Sequence, residues 1–182
     1  LILPAIPPGT ALQLSNGTTV RYAQLFKCEQ VLRSDCNRGV SGIDGSTSTA
    51  AGAACVGEEM TVLITGDMSF SYDVNGLSST YLSPRFKIIV MCNGGGGIFR
   101  FIKPTSDLPE LETCFEIHRD ISVEKYADLF GLRYFELNDE KSAAEVLSLF
   151  FAEKDRPAIL AVHTPNVYNA EVLRGYFRRS RQ

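Results

Sequence analysis

Two apolar runs constrain the fold of this chain more than any other feature. Residues 60–65 read Met-Thr-Val-Leu-Ile-Thr, and residues 86–92 read Phe-Lys-Ile-Ile-Val-Met-Cys, with Lys87 as the single charge. Residues 157–163, Pro-Ala-Ile-Leu-Ala-Val-His, form a third run. Strands that lack polar alternation are buried on both faces, which is typical of a parallel sheet covered by helices. The runs therefore predict an α/β fold.

The segments between these runs alternate between strand-like and helix-like patterns. Further strands are predicted at 11–15, 33–37 and 133–137, helices at 18–29, 44–55, 69–82, 123–130, 141–153 and 171–177, and a long loop at 103–121. Alternation of this kind favours a three-layer α/β/α domain with a mainly parallel sheet.

The domain organisation follows from length and from the first residues. A chain of 182 residues suits one domain. It opens Leu-Ile-Leu-Pro-Ala-Ile-Pro-Pro-Gly without Met, and a proline-rich start of this kind is typical of an extended linker. We expect residues 1–10 to be a linker, residues 11–182 to be the domain, and further domains to precede it in a longer protein.

Charge and cysteine usage exclude several classes of function. A net charge of −3 gives no reason to expect a nucleic acid partner. The five cysteines are odd in number and widely spaced, which argues against a disulfide framework or a zinc knuckle and favours reduced thiols in the cytoplasm. No apolar run approaches the ~20 residues of a membrane span.

Polar residues follow two of the apolar runs at the point where each strand ends. Asp67 comes after the first strand and Asn93 after the second, 26 positions later, a separation that suits one strand–helix–strand crossover. If the strands are neighbours, both side chains lie on the same edge, where parallel α/β sheets bind ligands. Carboxylate and amide oxygens suit Mg²⁺, which completes its octahedron with phosphate and water.

The same residues also have ordinary structural interpretations. An aspartate after a buried strand commonly caps a helix, an Asn-Gly pair commonly forms a turn, and the tetraglycine at 94–97 could be a flexible loop. From spacing alone these alternatives stay open. A dinucleotide-binding GxGxxG after the first strand and a Walker A loop are both absent.

Three sequence blocks carry a family resemblance. They are Asn-Arg-Gly-Val-Ser-Gly-Ile-Asp-Gly at 37–45, Gly-Asp-Met-Ser-Phe-Ser-Tyr-Asp-Val-Asn-Gly-Leu at 66–77, and Asn-Gly-Gly-Gly-Gly-Ile-Phe at 93–99. Gly66-Asp67 followed by Asn93 resembles the thiamine-diphosphate signature, although Met68 replaces its usual third glycine. Together the blocks resemble the C-terminal domain of the 2-succinyl-5-enolpyruvyl-6-hydroxy-3-cyclohexene-1-carboxylate synthases of menaquinone biosynthesis.

The resemblance implies a role for particular residues. Thiamine diphosphate and Mg²⁺, or Mn²⁺ in its place, are the implied cofactors, and Asp67, Asn93 and the Gly95 carbonyl are the implied metal ligands. Ile43 would prop the bent cofactor, and Ser69 would face the diphosphate. The implied cofactor-binding set is Ile43, Asp44, Gly66, Asp67, Met68, Ser69, Asn93 and Gly95, and the implied substrate-binding set is Arg21, Arg38, Ile98 and Phe99.

The resemblance also implies an activity and partners. Family members decarboxylate 2-oxoglutarate and add the resulting carbanion to isochorismate, and they work as homodimers or tetramers. Their activating glutamate comes from an N-terminal pyrimidine-binding domain of a second subunit, so no catalytic residue is expected here and the isolated chain should be inactive. Gly17 stands where the family often has serine. The alternatives are another thiamine-diphosphate 2-oxoacid decarboxylase or acetolactate-synthase-like enzyme, and a non-catalytic cofactor-binding module.

Overall fold

The structure, a computed structural model, describes residues 1–102, 104–116, 121–164 and 166–179. The strands are β1 (Ala11–Leu14), β2 (Arg33–Cys36), β3 (Thr61–Gly66), β4 (Phe86–Cys92), β5 (Arg133–Leu137) and β6 (Ala158–His163). The α-helices are α1 (Ile2–Ala5), α2 (Thr18–Ala23), α3 (Ser46–Val56), α4 (Asp67–Tyr72), α5 (Val123–Phe130), α6 (Ala143–Ala152) and α7 (Asn166–Arg179).

The six strands form one sheet in the order β2-β1-β3-β4-β6-β5, and every pairing between them is parallel. The two apolar runs that define the sequence are direct neighbours, with Gly66 at the end of β3 opposite Met91 near the end of β4. This register brings the residues that follow the two strands to the same edge of the sheet.

Alternate residues of the strands face two separate hydrophobic layers. On one face, Ile64 and Leu160 pack with Phe150 of α6. On the other face, Leu63 and Val90 pack with the helices α3, α4 and α5. Burial on both faces explains why the strands read as continuous apolar runs, and the predicted three-layer α/β/α fold is confirmed.

Lys87 interrupts an apolar strand without breaking it. Its side chain is fully buried, and its amine donates a hydrogen bond to the backbone carbonyl of Glu153 at 2.7 Å. Burial lowers the pKa of Lys87, while the nearby Glu153 carboxylate opposes this shift. The lysine is therefore accommodated by a specific acceptor at the amino-terminal end of β4, far along the strand from Asn93.

The predicted single helix at 69–82 is wrong. α4 ends at Tyr72 and is followed by a 3₁₀ helix, Val74–Ser78. Between them Asp73 turns toward α3 and accepts hydrogen bonds from the amide and hydroxyl groups of Ser48. A Cβ at Gly76 would lie 2.7 Å from the Ser48 Cα, so the glycine permits this close approach. A tertiary contact thus ends the helix.

Other predicted boundaries shift as well. Residues 2–5 form one helical turn packed on the core instead of an extended segment, while the linker role of residues 1–10 stays a prediction. The helix predicted at 18–29 ends at Ala23, and α7 begins earlier than predicted.

The predicted loop at 103–121 contains short helical turns at Thr105–Asp107 and Leu111–Phe115, and residues 103 and 117–120 lie outside the described part. No helix in the described residues is long and apolar enough to cross a membrane.

Candidate functional site

The carboxyl ends of four neighbouring strands meet at one edge of the sheet. In spatial order these strands are β2, β1, β3 and β4. They are followed by Arg38, Asn16, Asp67 and Asn93 respectively, after short connections. The residues predicted for substrate and for metal therefore lie along one rim, with the residue after β1 between them.

The Asp67 carboxylate is held by backbone amides. Its Oδ2 atom accepts hydrogen bonds from the N–H groups of Asn93 at 3.0 Å, Gly94 at 2.8 Å and Gly95 at 3.1 Å. Its Oδ1 atom accepts the N–H of Met68 at 2.8 Å. A carboxylate oxygen has about two acceptor sites, so Oδ2 is saturated while Oδ1 keeps capacity for a cation. This fixed oxygen is compatible with a metal ligand.

The electrostatics of Asp67 combine two opposing effects. Only 4% of the residue is exposed, and this burial raises the pKa of the carboxyl group. The four backbone N–H groups that donate to it lower the pKa and so oppose the effect of burial. A positive charge near Oδ1, which accepts one amide where Oδ2 accepts three, would favour the ionised form of this buried carboxyl group.

The loop after β4 owes its shape to glycine. Gly94, Gly95 and Gly96 all have positive φ values, 83°, 83° and 62°. In this conformation the successive N–H groups of Asn93, Gly94 and Gly95 all point toward the Asp67 carboxylate, in the manner of a backbone nest. The Gly95 amide also donates to the Asn93 Oδ1 atom at 3.1 Å. The structure thus places the backbone amides of Asn93 and Gly95 against the Asp67 carboxylate, and their part in a metal site stays a prediction.

The donor set limits which metals could be held. In the described part of the chain, no group of three or more histidine, cysteine, aspartate or glutamate side chains comes together. One carboxylate, one amide oxygen and backbone carbonyls form a hard oxygen set, which suits Mg²⁺ or Mn²⁺ better than zinc.

The start of α3 presents buried hydroxyl groups near this edge. The hydroxyls of Ser46 and Thr47 are buried, and among the described residues they have no hydrogen-bond partner. A buried unsatisfied hydroxyl costs about 1–3 kcal/mol, which bound phosphate oxygens could offset. Gly45 immediately precedes the helix with a φ of 80°. An 11-residue helix whose first two residues carry these buried hydroxyl donors is a suitable anion site.

The remaining predicted cofactor residues lie on the loop before α3 and at the start of α4. Ser69, in the first turn of α4, donates its hydroxyl to the Ile43 carbonyl at 2.6 Å. Ile43 itself is 38% exposed at the rim. Asp44 accepts the amide of Gly45 at 2.9 Å, and Met68 is half-buried beside Asp67. The Ser69 hydroxyl therefore fastens the loop that carries Ile43, a contact that the sequence did not predict.

The two predicted substrate arginines are both exposed and both anchored at the end of β1. The Arg38 Nη1 atom donates to the Asn16 Oδ1 atom at 3.1 Å. The Arg21 Nη1 atom donates to the Gly17 carbonyl at 2.7 Å. Each guanidinium has five N–H donors, so one anchoring bond leaves donors for a carboxylate ligand.

Ile98 and Phe99 are half-buried in a short 3₁₀ helix, Gly97–Arg100, at the other end of the rim. The Phe99 ring packs against the Phe115 ring with 5.4 Å between centroids. The Arg100 side chain pairs with Glu116 at 2.6 Å, and Glu116 is 1% exposed. These contacts hold an apolar surface next to the glycine loop.

Sequence reasoning missed two contributors to the site, Asn16 and Asp73. Asp73 was placed inside the helix predicted at 69–82, and Asn16 was given no part in the site. Their roles depend on contacts between distant segments, such as the hydrogen bond that the Ser48 amide donates to the Asp73 carboxylate, 25 positions away.

Known proteins resemble this chain in sequence and in fold. Relatives named 2-succinyl-5-enolpyruvyl-6-hydroxy-3-cyclohexene-1-carboxylate synthase include one from Porphyromonas gingivalis, 47% identical over 97% of this chain and 31% of that protein. Another, from Flavobacterium johnsoniae, is 42% identical over 97% of this chain and 32% of its own length. The chain thus spans about a third of these relatives. A crystal structure of benzoylformate decarboxylase from Polynucleobacter necessarius has a TM-score of 0.72 at 13% identity, covering 90% of this chain and 32% of that one, which supports the fold alone.

The family match covers most of the domain. Residues 16–162 match the family described as "Thiamine pyrophosphate enzyme, C-terminal TPP binding domain". The match begins at Asn16, just after β1 ends, and includes the four rim residues Asn16, Arg38, Asp67 and Asn93. The resemblance read from the three sequence blocks is therefore confirmed, and the chain belongs to the family of C-terminal thiamine pyrophosphate-binding domains of thiamine pyrophosphate enzymes.

Proposed function

We propose that this chain is the diphosphate-binding domain of a 2-succinyl-5-enolpyruvyl-6-hydroxy-3-cyclohexene-1-carboxylate synthase. The observation that carries the proposal is the 47% identity over nearly the whole chain to a relative of that name. The position of Arg21 and Arg38 on the cofactor rim supports it, because the proposed substrates, 2-oxoglutarate and isochorismate, both carry carboxylates. Guanidinium groups bind carboxylates with two parallel hydrogen bonds.

Asp67, Asn93 and the Gly95 carbonyl are the proposed ligands of Mg²⁺, or of Mn²⁺. The support is the fixed Asp67 carboxylate and its contact with the amides of Asn93 and Gly95. The metal would neutralise part of the charge of the diphosphate and tie it to the ends of β3 and β4.

The first turn of α3 is proposed to receive the diphosphate, with the Ser46 and Thr47 hydroxyls as donors. Gly66, Met68 and Ser69 line the start of α4, and Ile43 with Asp44 forms the neighbouring loop. When bound, thiamine diphosphate supplies a thiazolium ring that accepts the electron pair left on the substrate carbon when CO₂ departs. Ile43 would support the bent cofactor, and Ile98 with Phe99 would exclude water from the substrate.

The proposal requires protein that this chain does not contain. The residues that precede the domain in the relatives would provide the pyrimidine-binding part and the activating glutamate, with residues 1–10 as the linker and a second subunit completing the site. A homodimer or tetramer is therefore part of the proposal. The predicted cytoplasmic location stays a prediction; all five cysteines are free thiols in the structure.

The direct test is a substrate comparison with the full-length protein. Purified protein with thiamine diphosphate and Mg²⁺ is given 2-oxoglutarate plus isochorismate, and separately pyruvate or benzoylformate. We expect CO₂ release and loss of isochorismate only with the first pair. Turnover of pyruvate or benzoylformate instead would indicate a different thiamine-diphosphate enzyme, and no turnover of any substrate would favour a non-catalytic module.

The isolated domain provides the matching control. Because the activating glutamate is proposed to lie outside it, the 182-residue chain should not decarboxylate 2-oxoglutarate under conditions in which the full-length protein does. Measurable decarboxylation by the isolated chain would contradict the proposed division of the site.

A further inference from the structure

Asn16 is a buried polar residue at the centre of the rim. It follows β1, which lies between β2 and β3, and only 5% of the residue is exposed. A buried amide side chain is costly unless its donors and its acceptor are satisfied. The partners of Asn16 therefore indicate what the residue does.

The amide group of Asn16 bridges two points of one loop. Its Nδ2 atom donates to the Asn37 carbonyl at 2.5 Å and to the Gly42 carbonyl at 2.7 Å. These two carbonyls bracket the exposed segment that contains Arg38. Both N–H donors are thus used to hold the ends of this segment against the end of β1.

The acceptor atom of Asn16 faces the guanidinium on the same loop. Its Oδ1 atom accepts from the Arg38 Nη1 atom at 3.1 Å, with the Cys36 thiol at 3.7 Å as a second, weaker donor. One side chain therefore fixes the backbone that carries Arg38 and also the end of the Arg38 side chain.

We propose that Asn16 is a positioning residue, which directs the Arg38 guanidinium toward the carboxylate of the substrate. The inference rests on the proposed function, because it takes Arg38 as a substrate-binding group. Arg38 is otherwise an exposed, flexible side chain, and fixing it beforehand reduces the conformational entropy that substrate binding must overcome. The neighbouring residue contributes similarly, since the Gly17 carbonyl accepts from Arg21 at 2.7 Å.

The test is a double-mutant cycle in the full-length protein. Asn16→Ala should raise KM for the carboxylate substrate that Arg38 binds by about tenfold and change kcat less than about twofold. This pattern is expected when the lost interaction stabilises the bound substrate and the transition state equally. In an Arg38→Ala background the same change should raise KM by less than about twofold, because the residue acts through Arg38. A tenfold effect in both backgrounds would overturn the proposal.

Two controls separate positioning from a general loss of structure. Gln13→Ala removes another buried amide from β1. The Gln13 amide donates to the Asp35 carboxylate of β2 at a distance of 3.0 Å and does not contact Arg38, so its removal should leave KM unchanged. The KM for thiamine diphosphate should rise less than the KM for substrate in Asn16→Ala. Equal rises in both would show that Asn16 only supports the loop. If Asn16→Ala does not fold, Asn16→Ser, which cannot bridge both carbonyls, replaces it.

A readout that needs no substrate distinguishes failure of this inference from failure of the proposed function. Phenylglyoxal labelling of Arg38, quantified by mass spectrometry against the exposed Arg85 as an internal standard, should be several-fold faster in Asn16→Ala than in wild type. An unchanged labelling rate would overturn the positioning role even in an active synthase. If wild type does not convert 2-oxoglutarate and isochorismate, the proposed function fails, whatever the labelling shows.

Discussion

The two halves of the rim are built in different ways. On the β3–β4 side, the Asp67 carboxylate is buried and held by four backbone N–H groups. On the β1–β2 side, Arg21 and Arg38 are exposed, and each is anchored at the end of β1, Arg38 through the Asn16 side chain. Backbone amides are present whatever the side chains are, so a single substitution seldom changes the contacts that they make. Exposed side chains such as Arg21 and Arg38 can be exchanged one at a time, and the bound ligand can change with them.

This difference matches the chemistry proposed for each half. The diphosphate and its metal are constant parts of the cofactor, so a rigid backbone cradle is sufficient for them. Substrates vary between thiamine-diphosphate enzymes, and exposed side chains on a loop can be exchanged without disturbing the sheet. The predictions below test whether the two halves differ in this way, from the largest expected effect to the smallest.

Gly96→Ala should be the most disruptive change on the β3–β4 side of the rim. A Cβ at this position would lie 2.6 Å from the Glu116 Cα and 2.6 Å from the Phe115 carbonyl oxygen, both backbone atoms that cannot move cheaply. The φ of 62° adds strain for any residue with a side chain. We expect the free energy of unfolding in urea to fall by about 3 kcal/mol.

Gly131→Ala is the matched control for that experiment. Gly131 has a similar φ of 68°, but nothing lies within 4 Å of its added Cβ. It should therefore cost only the conformational strain, about 1 kcal/mol. Equal losses at the two glycines would show that the loop after β4 is not held tightly against Glu116.

Arg38→Ala should have the opposite profile on the substrate side. Arg38 is an exposed loop residue, and the Asn16 Oδ1 atom keeps the weaker Cys36 thiol donor. Removal of Arg38 should therefore lower the free energy of unfolding by no more than about 1 kcal/mol. The KM for the carboxylate substrate should rise at least about tenfold in steady-state assays of the full-length protein. Arg85→Ala, an exposed arginine at the other end of β4, should change neither quantity. A large loss of stability in Arg38→Ala would remove the contrast between the halves.

Asp73→Ala tests the start of α3, which is proposed to receive the diphosphate. Asp73 accepts from the Ser48 amide at 2.7 Å and also from the Ser48 hydroxyl. Loss of this cap should lower the free energy of unfolding by about 1–2 kcal/mol and weaken thiamine diphosphate binding several-fold in calorimetry. Asp139→Ala removes a similar acceptor of backbone amides before α6. It should leave cofactor binding unchanged, and a similar loss of binding in both variants would contradict a local effect.

Cysteine labelling offers the simplest contrast, and it has the smallest expected effect on the protein itself because it needs no substitution. Burial and the nearby Asp67 carboxylate raise the pKa of Cys92 to about 12, so its thiol stays protonated until the pH approaches that value. The reactive thiolate should therefore be scarce at pH 8. Iodoacetamide should label the exposed Cys55 at least about 100-fold faster than Cys92. Comparable rates at pH 8 would show that the end of β4 is open to solvent.

The sequence predicted the sheet well because burial on both faces leaves a strong local signal. The strand at 86–92 and the strand at 133–137 match the structure residue for residue. The neighbouring positions of Asp67 and Asn93 were also predictable, since one crossover joins adjacent parallel strands. Local patterns of apolar residues were sufficient for both conclusions.

Contacts between distant segments were not predictable in the same way. The break after α4 depends on Asp73 meeting Ser48, and the role of Asn16 depends on β1 lying beside β2. Nothing in the neighbouring sequence of Asn16 indicates that it reaches Asn37 and Gly42. Such residues become visible only when the strand order is known.

The most direct test of the central claim is calorimetric titration of the full-length protein with thiamine diphosphate and Mg²⁺, comparing wild type with Asp67→Ala. We expect the variant to lose at least about 100-fold in affinity, because the proposed metal ligand is gone. Asp73→Ala, which alters the helix start but not the ligands, should lose much less. Equal affinity of wild type and Asp67→Ala, with both proteins folded, would contradict the assignment of the metal site.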